Sequence, residues 1–371
     1  MSEEVILFLD PDFPLEDVQE IGGRLLASGA LVPGYIPAPI GFLDVSALVF
    51  SEKIENLSTI LIPDRNIASR MARVATQENY PLDHPVTQVA VQLMAFAQAM
   101  NLDIDPGIAF HELAHRDGNQ TAHHELKWFR AADRGNARPW IELALGRARN
   151  VDLGHAEALE THDLAYPPNR WDRNYIVAMK IAELARSRLR PVERMIALLD
   201  WMIDDFILAG PAVIFAARYF ATHSARGGMI KHVKSPDREK AVAGARNAAW
   251  DITYLSEFIR LIPAGERTGK HYILATCDRA LAEAAPLLML GPEPTEDQPS
   301  LGAALAAWWS KRDARTISDH FFACIERVGP GRARGSDLPG DPIAEMIAAG
   351  EAGTRAWQPA SAIAPTERAG A

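Results

Sequence analysis

Two short apolar runs of the chain each end at an aspartate. Residues Thr59–Ile62 are followed by Pro63 and Asp64, and residues Tyr272–Thr276 are followed by Cys277 and Asp278. Short continuous apolar runs bounded by polar residues are typical of strands that are buried on both faces. An amphipathic, helix-like run begins directly after each aspartate. The pattern therefore predicts two strand–helix units of a parallel α/β sheet, with a crevice at the carboxyl edge of the strands.

Apolar residues spaced three and four positions apart recur through most of the remaining chain, as in amphipathic helices. This spacing predicts helices at 15–27, 66–75, 86–100, 106–115, 175–189, 192–206, 211–223, 247–262 and 279–288, and one or two within 301–328. A further buried strand is predicted at Val5–Leu9. Residues 28–45 are rich in Gly and Pro and are predicted to form a loop.

The composition changes along the chain and suggests four segments. Residues 1–57 form an acidic N-terminal extension, in which seven acidic residues precede the first basic one, Arg24. Residues 58–290 form an α/β core that is interrupted by a helical insertion at about 120–245. Residues 301–328 are predicted to be C-terminal helices, and 329–371, rich in Gly, Ala, Pro and Arg, a mobile tail.

Composition and charge narrow the function classes. The chain has 371 residues, 48% of them hydrophobic, with 38 Lys and Arg against 48 Asp and Glu, a formal charge of −10. Two cysteines cannot form a disulfide framework or a thiolate zinc cage. The first residues lack a secretory signal, and no apolar stretch reaches the roughly 20 residues of a membrane span. We therefore expect a soluble cytoplasmic protein without a membrane partner. The negative net charge describes the whole surface, whereas a binding site is local. The acidity therefore does not exclude a nucleic acid as partner.

The first candidate chemistry is a zinc site. His111, Glu112 and His115 follow the HExxH pattern, in which two histidines four residues apart bind Zn²⁺ and the glutamate activates water. Charged residues follow directly, beginning at Arg116, which is not typical of the buried helix of a zinc hydrolase. Thr121 stands where the extended metzincin motif has a third histidine. Possible third ligands at uncommon spacings are Glu142, His155 and Glu157.

The second candidate chemistry is a set of separated carboxylates. Asp64 and Asp278 each follow a buried strand, where an unpaired charge is costly. Glu112 lies in the helix that opens at Pro106, and Asp251 lies early in the predicted helix 247–262. Acids that meet at one sheet edge repel one another unless a cation lies among them. Their oxygens suit a hard ion, Mg²⁺ or Mn²⁺.

These acids give the chain a resemblance to the PIN-domain nucleases. Asp64 and Asn66 are similar to the opening Asp-x-Asn motif of that family, and Thr276 and Asp278 are similar to its closing Thr-x-Asp motif. The Asp251 helix comes directly before the closing motif, as the family requires. The resemblance covers roughly residues 58–290. It implies a PIN-like three-layer parallel sheet flanked by helices, here with a large helical insertion.

The position of the first acid departs from the family pattern. A typical PIN domain is shorter and has its first acid near the N-terminus, so Asp10 or Asp12, after the predicted strand Val5–Leu9, is an alternative. We prefer Asp64 because Asn66 follows at the required position and a helix begins at once.

The resemblance implies metal-dependent phosphodiester hydrolysis, above all an endoribonuclease activity. Mg²⁺ or Mn²⁺ would be held by four catalytic carboxylates, those of Asp64, Glu112, Asp251 and Asp278, and would activate a water molecule. Asn66 and Thr276 would hydrogen-bond these carboxylates and fix their orientation. The substrate would be RNA or another nucleic acid.

A locally basic segment is the predicted contact surface for that substrate. One member precedes the Gly227-Gly228 pair and four follow it: Arg226, and then Lys231, Lys234, Arg238 and Lys240.

Other interpretations of the same residues remain open. Asp64 and Asp278 can each act as a helix N-cap, which is a common structural role. The alternatives from other classes are a zinc metallopeptidase that uses His111, Glu112 and His115, and a catalytically inactive PIN-like regulatory protein. The sequence does not decide whether the substrate is RNA or DNA, and it does not indicate the oligomeric state.

Overall fold

The structure is a computed structural model that describes residues 10–77, 81–157, 162–166, 168, 170–223, 228–328 and 342–358. The chain divides into two compact units. The first comprises Met1–Pro168 and Tyr254–Leu290, and the second comprises Asn169–Thr253 and Gly291–Ala371. The strand predicted at Val5–Leu9 lies outside the described residues.

One open sheet of four strands forms in the first unit. The strands are β1 (Leu31–Pro33), β2 (Ser58–Pro63), β3 (Asp103–Ile104) and β4 (Lys270–Ala275), in the order β1-β4-β2-β3. Strand β2 runs parallel to both of its neighbours, β3 and β4, whereas β1 pairs antiparallel with β4. Ser58 lies opposite Lys270 and Pro63 opposite Ala275, so β2 and β4 begin and end together. This register brings the segments after both strands to the same sheet edge.

Most of the described chain is helical. The helices are α1 (Leu15–Ser28), α2 (Val45–Lys53), α3 (Arg65–Ala75), α4 (Pro85–Ala99), α5 (Gly107–Asp117), α6 (Asn119–Asp133), α7 (Ala137–Ala144), α8 (Trp171–Arg186), α9 (Pro191–Asp204), α10 (Gly210–Phe220), α11 (Arg238–Thr268), α12 (Arg279–Ala284), α13 (Leu301–Leu305), α14 (Lys311–Val328) and α15 (Pro342–Ala356). A 3₁₀ helix at Ala285–Met289 continues α12. Within the parts that the structure describes, no helix is long and apolar enough to cross a membrane.

The core of the first unit forms around the central strands and helices α3 to α7. Leu61 of β2 and Ile273 of β4 are fully buried, as are the large side chains of Phe96, Phe110 and Trp140. Helix α3 packs against α4 and α6, and α4 also packs against α1 and α7. The two central strands are thus part of the buried core, and the predicted acids follow where these strands end.

All the regular secondary structure in the described part of the second unit is helical. Trp171 stacks on Tyr175 at the start of α8, with a ring centroid distance of 5.1 Å. The Tyr175 hydroxyl donates a hydrogen bond to Glu351 of α15 at 2.7 Å, and Arg246 of α11 donates to the same carboxylate at 2.7 Å. Buried Trp309 donates its indole N–H to the carbonyl of Ala217 at 3.0 Å. The contacts of Glu351 with Tyr175 and Arg246 join α8, α11 and α15, and the Trp309 hydrogen bond joins α10 to the segment after α13.

The sequence predicted the α/β class and the parallel central strands correctly, whereas several segments differ, among them β3 and α2, for which no element was predicted. Residues 28–45, expected to be loop, contain β1, whose three residues are too few to show an alternating pattern. Residues 342–356, expected to belong to a mobile tail, form helix α15, which packs on α8. The segment 15–53 of the predicted N-terminal extension supplies α1, β1 and α2 to the first unit. Of the predicted insertion, α6 and α7 belong to the first unit and α8 to α10 to the second.

Candidate active site

Asp64 and Asp278 occupy equivalent positions at the ends of neighbouring parallel strands. Asp64 caps α3, with its carboxylate accepting the backbone N–H of Ile67 at 2.8 Å. Asp278 caps α12 and accepts the backbone N–H groups of Ala280 and Leu281 at 2.8 and 3.2 Å. Because β2 and β4 end together, the two capping carboxylates lie at one edge of the sheet. Both aspartates are therefore N-caps, and their shared position leaves a second role open to them.

The hydroxyl of Thr276 links these two aspartates. It donates a hydrogen bond of 2.6 Å to Oδ2 of Asp64 and accepts the backbone N–H of Asp278 at 3.0 Å. Thr276 is only 1% exposed, and its own N–H donates to the carbonyl of Ala30. One buried hydroxyl thus fixes the Asp64 carboxylate and the chain that leads into α12.

Burial and charge perturb the Asp64 carboxyl. Asp64 is 3% exposed. Loss of solvent raises the pKa of Asp64 above its ordinary value, although the hydrogen bonds from Thr276 and from the Ile67 N–H oppose the rise. The nearby charge of Asp278 raises the pKa further. An ionised Asp64 at this edge would therefore be stabilised by a cation.

Glu112 of α5 lies close to Asp64. Its Oε2 accepts a hydrogen bond of 3.1 Å from the buried Tyr254 hydroxyl. Burial raises the pKa of Glu112 to about 7, while the Tyr254 hydrogen bond and the Arg65 charge oppose this and the Asp64 charge adds to it. Burial also raises the pKa of Tyr254 well above its usual value, helped by the charges of Glu112 and Asp64. Tyr254 is therefore a neutral hydrogen-bond donor to Glu112.

A buried ion pair borders the carboxylates and was not predicted. Arg65, the residue after Asp64, is 8% exposed and forms a two-pronged salt bridge to Glu125 of α6, at 2.6 and 2.9 Å. Such paired contacts hold a guanidinium in a fixed orientation. The sequence shows Arg65 inside the Asp-Arg-Asn string, but its partner lies sixty positions away, where no local pattern indicates it.

The remaining predicted site residues are not gathered at this edge in the same way. Asn66 is exposed, and it acts on Asp64 through its backbone N–H, which lowers the pKa of Asp64. Asp251 belongs to the second unit, so its place among the carboxylates stays a prediction. Cys277, which follows Thr276, has a thiol whose pKa is raised to about 12 by burial, so it is not a thiolate nucleophile at neutral pH.

The basic segment belongs to the second unit. Lys231 and Lys234 are exposed, whereas the Arg238 guanidinium lies 4.8 Å from the centre of the Trp357 ring and Lys240 pairs with Asp237 at 3.5 Å. Arg226 lies outside the described residues. The predicted role of this segment in nucleic-acid binding stays a prediction.

The histidines of the HExxH string lie on α5. His111 directs Nδ1 to the backbone carbonyls of Leu164 and Tyr166, at 2.9 and 3.1 Å, and His115 is exposed. Of the possible third ligands, Glu142 lies 3.5 Å from Arg147 and Glu157 lies 3.8 Å from Arg134, while His155 is exposed. Throughout the described ranges, no group of three or more His, Cys, Asp or Glu side chains is placed to hold a metal ion.

The donor chemistry at the sheet edge suits a hard divalent cation. Asp64, Glu112 and Asp278 offer carboxylate oxygens, which Mg²⁺ and Mn²⁺ prefer, although these three described side chains are not placed as one group around a single ion. Burial raises the pKa values of Asp64 and Glu112, so their ionised forms are disfavoured at this edge. Comparison of the chain with protein-family models, with curated proteins and with solved structures finds no match.

Proposed function

We propose that the protein is a metal-dependent phosphodiester hydrolase, and in particular an endoribonuclease, whose centre is the sheet edge at Asp64 and Asp278. One observation carries the proposal. Two acids that follow adjacent parallel strands are tied together through a single buried hydroxyl, that of Thr276, with the carboxyl of Glu112 close by. Open α/β sheets bind ligands outside the carboxyl ends of their strands, which is where these groups lie.

A PIN-like domain is the finer form of the proposal. The order Asp64, Asn66, Glu112, Asp251, Thr276, Asp278 along the chain and the placement of the first and last acids after parallel strands support it. On this proposal the sheet and its flanking helices form three layers, and the residues at about 120–245 are the helical insertion. Asp251 is kept as the fourth carboxylate.

The chain's own residues have distinct tasks in the proposed reaction. Asp64 and Asp278 would hold a Mg²⁺ or Mn²⁺ ion with Glu112 and Asp251, and the bound ion would lower the pKa of a water molecule and offset charge on the phosphate. Thr276 keeps the Asp64 carboxylate in one orientation. Tyr254 orients the Glu112 carboxyl through its hydrogen bond of 3.1 Å, so that Glu112 could serve as one of the ligands of the ion.

The substitution Asp64→Asn tests the proposal. Asparagine caps helices as well as aspartate does, so α3 and the fold are expected to persist while the negative charge is lost. Cleavage of labelled single-stranded RNA in Mg²⁺ or Mn²⁺ should fall by roughly a hundredfold or more, as when a group that stabilises the transition state is removed. Asp44→Asn is the matched control, because Asp44 caps α2 through the Ala47 N–H at 3.0 Å and lies outside the site.

Three results would contradict the proposal. Equal cleavage by the parent and Asp64→Asn would show that the activity does not use this edge. Stoichiometric zinc that survives purification and is lost in His111→Ala would favour the metallopeptidase. A parent protein that cleaves neither RNA nor single-stranded DNA in either metal would favour the inactive regulatory protein.

A further inference from the structure

A large open cleft borders the proposed active site. Its volume is about 1210 Å³, and Thr276 and Cys277 form part of its wall. The other walls come from the end of α1, from one face of α4, from α12 and from the segment that follows α7. A cleft of this size is large enough for a drug-sized ligand. Thr276, Cys277 and Arg279 line the cleft, so it adjoins the segment of chain that carries Asp278.

Gln92 is the unusual residue of this cleft. It lies in the middle of α4 among apolar neighbours and is only 8% exposed, yet it lines the cleft. Within the described ranges, its side-chain amide forms no hydrogen bond. The Gln92 side chain is largely buried but its amide faces the open cleft, where a ligand can replace water as its hydrogen-bond partner. Gln88, one helical turn earlier, lines the same cleft and is exposed.

The rest of the wall combines apolar and cationic groups. Its apolar part consists of Leu82, Val86, Val89 and Leu143. Three arginines line the cleft against two acids: Arg24, Arg149 and Arg279 against Asp83 and Glu283. Arg279 is paired with Glu283 at 2.7 Å, whereas Arg149 is exposed and has no ion-pair partner among the residues that the structure describes. The cleft is therefore locally basic on a chain of formal charge −10.

We propose that this cleft binds one nucleotide of a single strand and that the Gln92 amide recognises its base. A glutamine side chain presents a donor and an acceptor side by side, which matches the hydrogen-bonding edge of an unpaired base. The apolar wall contacts the faces of the base, and Arg149 contacts a phosphate. The inference rests on the proposed function, because the adjoining phosphodiester would then lie toward Asp64 and Asp278. Gln92 is thus a specificity-determining residue.

Nucleoside monophosphates give the first test, since they contain no phosphodiester that could be cleaved. Calorimetric titration of the intact parent protein with the four ribonucleoside 5′-monophosphates is expected to show binding with a preference among the bases. Gln92→Met keeps the size and packing of the side chain and removes the amide. The substitution should lower the affinity for the preferred nucleotide by roughly tenfold or more, so that the affinities for the four nucleotides become more alike.

Short single strands give the second test and separate a free nucleotide from a nucleotide within a strand. Fluorescence anisotropy with labelled oligoadenylate, oligocytidylate and oligouridylate in the Asp64→Asn background should show the same base preference, lost with Gln92→Met. Tighter binding of strands than of monophosphates assigns the cleft to a polynucleotide, and the reverse assigns it to a free nucleotide. Gln120→Leu, an exposed position of α6 outside the cleft, is the control and should change neither measurement.

The results distinguish this inference from the proposed function. No binding of any monophosphate or strand, or an unchanged base preference in a folded Gln92→Met variant, would overturn the assignment of the cleft, even if RNA is cleaved. Base-selective binding that depends on Gln92, combined with equal cleavage by the parent and Asp64→Asn, would keep the cleft and overturn the proposed active site. Thermal unfolding midpoints of the parent protein and of Gln92→Met show whether the variant is folded.

Discussion

Thr276 is the residue on which the geometry of the proposed site depends most. Its hydroxyl acts as donor to Asp64 and as acceptor from the backbone of Asp278. A hydroxyl is a group that can do both at once. Serine could replace it with the loss of one methyl group, whereas valine, of nearly the same shape, would leave a buried acceptor and a buried N–H without their partner.

Glu112 leads to a prediction about stability and pH. Burial raises the pKa of Glu112 from an ordinary 4.5 to about 7, so the folded protein holds a proton that the unfolded chain releases. The contribution of Glu112 is therefore most favourable below about pH 4.5 and is lost as the pH rises toward 7. Glu112→Gln removes the charge and keeps an oxygen for Tyr254. With a chelator present, the variant should exceed the parent in free energy of unfolding by on the order of 2 kcal/mol at about pH 8, and by much less at about pH 5.

Urea denaturation of the two proteins at both pH values measures this difference. A stability difference that is the same at about pH 5 and about pH 8 would mean that the Glu112 carboxyl titrates normally.

Only some of the individual residues of the site could be predicted from the sequence. Asp64, Thr276 and Asp278 were found because each follows an apolar run, which is a local signal. Arg65 with Glu125, Tyr254 with Glu112, and Gln92 in its cleft depend on side chains from distant segments that meet only in the folded chain. Gln92 in particular has the sequence pattern of a polar position on an otherwise apolar helix.

Among the elements, the contact between α11 and β4 is especially close. Gly265 of α11 faces the start of β4, and a Cβ at this position would overlap the carbonyl oxygen of Lys270 and lie 2.9 Å from the Tyr272 ring. The overlap involves backbone and cannot be relieved by rotating a side chain. Gly265→Ala should therefore destabilise the first unit by about 1–3 kcal/mol and disturb β4, which carries the proposed site.

Gly23→Ala is the matched control within the same unit. Gly23 lies in α1 with no atom within 4 Å of the added methyl group, so alanine should stabilise the helix by about 0.5–1 kcal/mol. Thermal unfolding of both variants, with RNA cleavage as a second measurement, compares the two. An equal effect of the two substitutions would contradict the close packing of α11 on β4.

Most elements could be predicted because their apolar residues are strictly periodic. The bounds predicted for α1, α3 and α4 agree with the structure within one or two residues. Strand β1 and helix α15 were missed for physical reasons. Three residues of β1 acquire their conformation from pairing with β4, and α15 is held by Glu351 through tertiary contacts with Tyr175 and Arg246. Neither contact is encoded in the local pattern.

For the whole molecule, charge predicts how binding depends on salt. The chain is strongly acidic, and the cleft contributes three arginines. Each phosphate contact contributes about −0.7 to the slope of log affinity against log salt concentration for a single strand. The slope should therefore be about −0.7 if Arg149 alone contacts a phosphate, and roughly −2 if Arg24 and Arg279 also leave their partners Glu20 and Glu283 for phosphates. Anisotropy titrations of Asp64→Asn over a range of KCl concentrations measure it. A slope near −5 would show that the basic residues of the second unit, from Lys231 to Lys240, also contact the strand.

The pairing of β2 with β4 also determines when the proposed site can exist. The Asp64 and Thr276 side chains that hydrogen-bond to each other are 212 positions apart, and the whole segment 169–253 of the second unit lies between them in the chain. During synthesis from the N-terminus, Asp64 leaves the ribosome long before its partners do. The nascent chain therefore stays without an assembled centre until residue 278 has emerged, so the proposed nuclease centre could not act on its own message before that point.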